Sequence, residues 1–266
     1  MTPVSFLAYT LALLAAVSAA LPACAEQVQT GLLMEGTPCA TKYWIKSGEA
    51  EGPRLFVSGG MHGDEKAGYL AGDRLVEWKI TKGTLIVLPR AHQMAIARDE
   101  RAYPGNMNAL FPGDAHGDLM HRLAAAIWGL MRDSKPDLII TLHESVGYFR
   151  DEPDRYGQTL TYDFDALTPR MQAILDRVNP DITPEHDRFL VKVDPFPHCP
   201  TYEAYRWLHV PATSIETCRR LPLETRIRHQ LMVLMAAMDD LGMEYDPAED
   251  LPHLSTARAS LTPGEG

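Results

Sequence analysis

The sequence predicts an α/β protein, a three-layer α/β/α sandwich around a mixed, largely parallel sheet. Two observations carry this expectation. Short apolar runs of strand length alternate with amphipathic stretches of helical period along most of the chain. Residues able to do chemistry cluster where those apolar runs end, which is where open α/β sheets bind their ligands. No internal repeat, low-complexity tract or interdomain linker interrupts the pattern, so a single domain is expected.

Taken in order, Gly31 to Ser47 reads as two short strands around Gly36-Thr37-Pro38. Arg54 to Ser58 is an apolar strand running into Gly59-Gly60. Glu65 to Ile80 has the helical period, with Leu70, Leu75, Val76 and Trp78 on its apolar face. Thr84 to Leu88 is a buried strand stopped at Pro89. His116 to Ser134 is a helix rich in Leu, Ala, Ile and Met, ended by Lys135-Pro136, and Asp137 to Leu142 is the next strand. A short helix is expected at Arg170 to Val178, then strands at Phe189 to Val193 and Ala212 to Ile215. Leu223 to Leu241 is a final helix closed by Gly242. From Asp246 the chain is Pro-rich and charged and is expected to form a flexible tail.

The termini add a compartment. The first 25 residues hold no Lys, Arg, Asp or Glu, Phe6 to Ala20 is almost wholly apolar, and Ala23-Cys24-Ala25 has the small-x-small cleavage pattern. This reads as a secretory leader cut after Ala25. Leu21-Pro22-Ala23-Cys24 partly matches a lipoprotein site, but proline at its second position is atypical. The expected organisation is a leader at 1–25, a catalytic domain at 26–245 and a tail at 246–266, periplasmic or secreted and without stable membrane insertion. A net charge of −10 argues against nucleic acid as a partner. Beyond the leader three cysteines remain, Cys39, Cys199 and Cys218, so one disulfide is possible, and the pair flanking one strand, Cys199 and Cys218, is the first choice.

The chemistry concentrates in four places. His62 and Glu65 stand three residues apart after Gly59-Gly60, and His143 ends a later apolar run. Two imidazoles and a carboxylate are the ligand set of a catalytic zinc, which keeps one position open. Glu216 ends the run Pro211-Ala212-Thr213-Ser214-Ile215, where a carboxylate can serve as general base towards water. The long connection from Pro89 to Gly113 holds Arg90, His92, Arg98, Arg101, Asn106 and Asn108, and loops of that length are usually functional. Each feature has a plainer alternative. H-x-x-E recurs by chance, a histidine at a strand end is commonly a satisfied core side chain, Glu216 could favour a helix N-terminus, and the connection could be a solvated loop. His116 and His121 are five apart on a helix and read as surface residues. Glu144 is expected to point the opposite way from His143 along the strand and could line the pocket rim. Neither Ser58 nor Ser145 sits in a G-x-S-x-G elbow, so no serine-nucleophile arrangement is visible.

The order H-x-x-E, an Arg–Asn loop ending in Phe111-Pro112-Gly113, a strand ending in His and a strand ending in Glu resembles the zinc carboxypeptidase superfamily. Its spacing is closest to the succinylglutamate desuccinylase and aspartoacylase branch, over about Leu55 to Leu241. The resemblance implies one Zn²⁺ per chain on His62, Glu65 and His143, Glu216 as catalytic base and acid, and Arg101, seven residues before Asn108, as the group that polarises the scissile carbonyl. Asn108 would help hold a substrate carboxylate. The family usually reads Asp-Leu-Asn-Arg where this chain has Asn106-Met107-Asn108-Ala109, so the arginine that grips the substrate carboxylate and the aspartate that supports a zinc histidine are both replaced. The desuccinylase branch usually adds a C-terminal β-rich domain, and about 25 residues follow Leu241 here. Tyr202 and Arg206, in the aromatic segment before the Glu216 strand, could close over substrate or simply pack. The expectation is an exported zinc hydrolase that cleaves an amide bond in a small N-acyl amino acid or peptide. The alternative is a zinc-containing ligand-binding protein without catalysis on the same fold.

Overall fold

A computed structural model describes residues 25–248. The leader expectation and the tail beyond residue 248 lie outside them. The chain opens with three strands, β1 (Gln27–Leu33), β2 (Thr41–Ser47) and β3 (Ala50–Gly59), followed by helix α1 (Lys66–Val76) and strand β4 (Lys79–Leu88). A short helix α2 (Gln93–Arg98) sits inside the long connection, before α3 (Leu119–Ser134) and β5 (Leu138–Ser145). Strand β6 (Thr159–Tyr162), helix α4 (Thr168–Val178), strand β7 (Leu190–Val193) and helix α5 (Pro200–Glu203) lead to β8 (Ala212–Cys218), α6 (Leu223–Leu241) and β9 (Glu244–Asp246).

Among the described residues, all the strands join one sheet in the order β1-β2-β4-β3-β5-β8-β6-β7, with β9 added to β4. The central block β4-β3-β5-β8 is parallel throughout. Antiparallel pairs flank it: β1–β2 and β2–β4 on one side, β6–β8 on the other. The expected three-layer α/β/α sandwich is therefore the fold observed. Alternate residues of the central strands feed two cores. Leu55 and Val57 of β3 and Leu85 and Val87 of β4 face Ala67, Ala71 and Leu75 of α1 and the apolar faces of α4 and α6. Phe56, Ile86 and Ile139 face Leu123, Ala124, Ile127 and Met131 of α3. That period of two is what lets each strand cover both layers.

Helix ends follow local chemistry. The Asp118 carboxylate caps α3, accepting from the amides of Met120 and His121 at 3.0 Å each. Gly242, at φ +77°, closes α6 in the left-handed conformation.

Four sequence expectations are corrected. The helix read as Glu65 to Ile80 ends at Val76, and Lys79 and Ile80 begin β4, where they pair with Asp246 and Tyr245 of β9. Trp78, fully buried at the turn, stacks on Tyr245 at 5.5 Å, so its apolar character serves the helix-to-strand junction. Strand β9 also means that the chain stays ordered against the sheet through Asp246. The strands bearing His143 and Glu216 run on to Ser145 and Cys218. Finally, Cys39, Cys199 and Cys218 are all buried free thiols, and the Cys199–Cys218 pair does not form.

Candidate metal centre and active-site cavity

The loop after β3 delivers the first two site residues. Gly60 takes φ +68°, a conformation open to glycine at little cost, and turns the chain out of the sheet. At Gly63 a Cβ would lie 2.1 Å from the Ala95 backbone, so only glycine lets this loop lie against α2. His62 and Glu65 then reach the same point as His143, carried by the neighbouring strand β5. His62 Nδ1 lies 2.7 Å from Glu65 Oε1, and His143 Nδ1 lies 2.9 Å from Glu65 Oε2. All three residues are almost fully buried, and their donor atoms fall within 4.8 Å of one another.

These residues fit a zinc ion. Two imidazole nitrogens and a carboxylate converge, and His62 Nε2 is buried without a hydrogen-bond partner. Burial alone would raise the Glu65 carboxyl, but His62 and His143 outweigh it and hold the acid well below its usual range. Glu65 is thus anionic, as a metal ligand must be. Arg101 Nη1 donates to Glu65 Oε1 at 2.7 Å and the amide of Glu144 to Oε2 at 3.2 Å.

The surrounding groups hold this arrangement in place. Glu144 alternates with His143 along β5 and reaches the edge of the cavity lining, as expected. Its carboxylate is buried, accepts from the Ala67 amide at 3.0 Å and pairs with Arg226 of α6. Gln230 of α6 donates to the His143 carbonyl at 3.0 Å and to the Thr217 hydroxyl at 3.1 Å. The pair Glu144–Arg226 and Gln230 together tie the C-terminal ends of β5 and β8 to α6.

Glu216 stands opposite His143 in the parallel β5–β8 ladder, so the two side chains share one face. Burial pushes the Glu216 carboxyl up to about 8, against the lowering effect of His143 and Arg101. A cavity of ≈ 420 Å³ opens over this face. His62, Glu65, His143, Glu216, Arg101 and Asn108 all line it, so the structure brings six of the eight sequence-nominated residues together. Asn108 Oδ1 is buried there without a partner. Tyr202 and Arg206 are not part of the lining: Tyr202 lies against Phe164 at 5.3 Å, and the Arg206 guanidinium covers Trp207 at 4.9 Å. Thr201, the residue before Tyr202, lines the cavity instead. His116 is exposed and His121 pairs with Asp118, in line with their surface reading.

The lining also holds residues that sequence reasoning missed. Arg219, three residues after Glu216, donates to Asp64 Oδ2 at 3.0 Å and lies 4.0 Å from Glu65 Oε1. Arg155 and Tyr156 come from the segment before β6, and Asp163 and Asp194 follow β6 and β7. The arginine's position just past a strand-end carboxylate was a usable signal. The others depended on β6, a four-residue strand that sequence periodicity did not resolve.

Residues 51–145, from β3 to the end of β5, match the model of the succinylglutamate desuccinylase/aspartoacylase catalytic domain. The resemblance read from the motifs holds. A curated relative, N-alpha-acetyl-L-2,4-diaminobutyric acid deacetylase of Halomonas elongata, is 30% identical over 105 residues, which are 37% of this chain and 30% of that protein. Among solved structures, tripeptide-bound Csd4 of Helicobacter pylori superposes with a TM-score of 0.71 at 19% identity, covering 85% of this chain and 58% of that one. The same protein with mDAP bound is described as a D,L-carboxypeptidase. A succinylglutamate desuccinylase/aspartoacylase from Rhodobacter sphaeroides gives a TM-score of 0.62 at 18% identity, covering 85% of this chain and 68% of that one. At these identities the structural likeness shows the fold. The chain spans a little over half the length of Csd4.

Proposed function

We propose that this chain is an exported, zinc-dependent hydrolase that cleaves an amide bond in a small N-acyl amino acid or peptide. The observation that carries the reading is Glu216 beside His143, in one cavity lining with the His62–Glu65–His143 set of metal-donor atoms. The deacylase and carboxypeptidase names of its relatives agree with amide hydrolysis. The uncharged leader carries the export half of the proposal.

In this reading His62, Glu65 and His143 hold the ion. Zinc bound there supplies Lewis acidity, polarising an amide carbonyl and lowering the pKa of water to about 7. Glu216 accepts the proton of the attacking water at its carboxylate and passes it to the nitrogen of the departing amine. Burial raises the Glu216 carboxyl in the metal-free site, and a zinc ion held beside it would favour the ionised form, the one that accepts the proton. Arg101, 58% exposed, is free to swing from Glu65 towards the carbonyl oxygen as negative charge develops on it. Asn108 offers its amide N–H groups to a substrate carboxylate. Glu144, Arg226 and Gln230 keep the ligands from shifting, which preserves the alignment the transition state needs.

The test is a screen of the zinc-loaded protein against N-acyl amino acids and short peptides, with Glu216→Gln run in parallel. Hydrolysis by wild type, lost in the variant, upholds the reading. Tight binding of a panel member with no turnover by wild type favours a ligand-binding protein instead.

A further inference from the structure

The cavity runs beyond the metal centre to a second pole. Glu216 faces Thr159 in the β6–β8 register, and Ser214 faces Thr161. The Thr141 and Ser214 hydroxyls meet at 2.7 Å, and those of Thr159 and Thr161 at 2.8 Å. Of these, Thr161 and Ser214 line the cavity and give it a polar floor, with Thr141 and Thr159 fully buried behind them. Asp163 follows at the end of β6, four residues past Thr159, or roughly 13 Å along the strand at about 3.3 Å per residue. Strands β6 and β7 are parallel with Tyr162 beside Val193, so Asp163 and Asp194 leave the sheet side by side, and both line the cavity.

The two aspartates differ in what satisfies them. Asp194 accepts from the Tyr156 hydroxyl at 2.6 Å and lies 3.5 Å from Lys192 Nζ. Asp163 is only 5% exposed, yet no cation among the described residues pairs with it. Its Oδ1 accepts from the Phe196 amide at 2.9 Å and lies 3.9 Å from Cys199 Sγ. Burial raises its carboxyl, only partly offset by the Phe196 amide and the Thr201 hydroxyl, and Asp194 raises it further. A carboxylate taken from water without a counter-charge is costly. An amide oxygen would hold the Phe196 amide as well, so the local fold does not account for a charge there.

We propose that Asp163 is the specificity determinant of this cavity, receiving a side-chain ammonium several bonds from the scissile amide. The inference rests on the hydrolase reading for the position of that amide and names its substrate class: an acylated diamino acid, or a peptide carrying one. The hydroxyls of Thr161 and Thr201 give the ammonium further acceptors.

The probes are Nα-acetyl-lysine, Nα-acetyl-norleucine and Nα,Nε-diacetyl-lysine, each as both enantiomers. Affinity for the zinc-loaded Glu216→Gln protein is measured alongside kcat/KM of wild type. The lysine compound is expected to bind at least tenfold more tightly than either uncharged one, and Asp163→Asn is expected to erase that difference with zinc content unchanged. Equal binding of charged and uncharged probes, or a preference that survives Asp163→Asn, overturns the proposal. Should Asp163→Asn fail to fold, the diacetyl compound decides, since it is at least as long as lysine and lacks the charge. Charge preference without turnover by wild type would keep the subsite and remove the hydrolase; turnover without charge preference would do the reverse.

Discussion

Glu216 of β8 is the direct ladder partner of His143 of β5. Parallel pairing puts their side chains on one face of the sheet, at the C-terminal end where the H-x-x-E loop also arrives. A carboxylate is thereby fixed next to a metal-donor imidazole by backbone hydrogen bonds, the least flexible support a fold can offer. Replacement of Glu216 by the nearly isosteric Gln should leave this ladder, the zinc and ground-state binding intact while removing the proton acceptor. Turnover should fall by at least about 10²-fold. Steady-state kinetics with parallel metal analysis decides, and a variant that cleaves as fast as wild type would hand the role of base to another residue.

The metal assignment is tested at His143. Its Nδ1 approaches Glu65, and its carbonyl is held by Gln230, so truncation to Ala removes one donor without breaking the strand. His143→Ala should bind zinc at least about tenfold more weakly, by analogy with the losses seen even for supporting groups around metal ligands. Competition with a chromophoric chelator reads this directly. Unchanged affinity would mean that the ion is held elsewhere.

Arg101 offers a way to separate catalysis from metal binding. It donates to Glu65 at 2.7 Å but is 58% exposed, so it can leave that contact. If it meets the developing oxyanion, Arg101→Ala should lower kcat by about 10²–10³-fold. Zinc stoichiometry should stay at one per chain, because Glu65 keeps both imidazoles and the Glu144 amide. A variant that loses zinc in proportion to activity would make Arg101 a support for Glu65 alone.

The motif residues were legible because they sit on features that sequence displays well. Apolar runs mark the central strands, and His62, Glu65, His143 and Glu216 stand at or near their ends. The parallel core and the three layers followed from the same alternation. The other half of the cavity was not legible. Strand β6 has four residues and pairs antiparallel to β8, so nothing in its period announces that Asp163 will share a cavity with Glu216. Tyr202 and Arg206 were nominated from composition next to a strand, but Thr201 of α5 lines the cavity, while Tyr202 packs on Phe164 and Arg206, in the helical segment after α5, covers Trp207. Helix α1 was read four residues too far at its C-terminal end, because Trp78 and Ile80 keep the apolar period while belonging to a junction that β9 completes. Such errors come from tertiary partners distant in sequence, which local periodicity does not encode.

A last prediction concerns stability against pH. His229 of α6 is 6% exposed, accepts at Nδ1 from Gln158 Nε2 at 3.1 Å, and meets Phe189 edge-on at 6.0 Å. Burial lowers its pKa to about 4, with Asp187 opposing the shift and Arg228 reinforcing it. In the unfolded chain the same imidazole titrates near its ordinary value of about 6.5. Between these limits the unfolded state takes up a proton that the native state does not, so stability falls as pH drops from about 6.5 to about 4. The contribution of this one group is about 2 kcal/mol between pH 7 and pH 5. His229→Gln retains an acceptor for Gln158 and cannot be protonated. Urea unfolding of wild type and variant at pH 7 and pH 5 isolates the effect, because every other titrating group is common to both. The variant should lose less stability than wild type on going to pH 5, by roughly that amount. Parallel losses in the two proteins would show that His229 can be protonated in the native state, and that the helix α6 packing around Phe189 admits water.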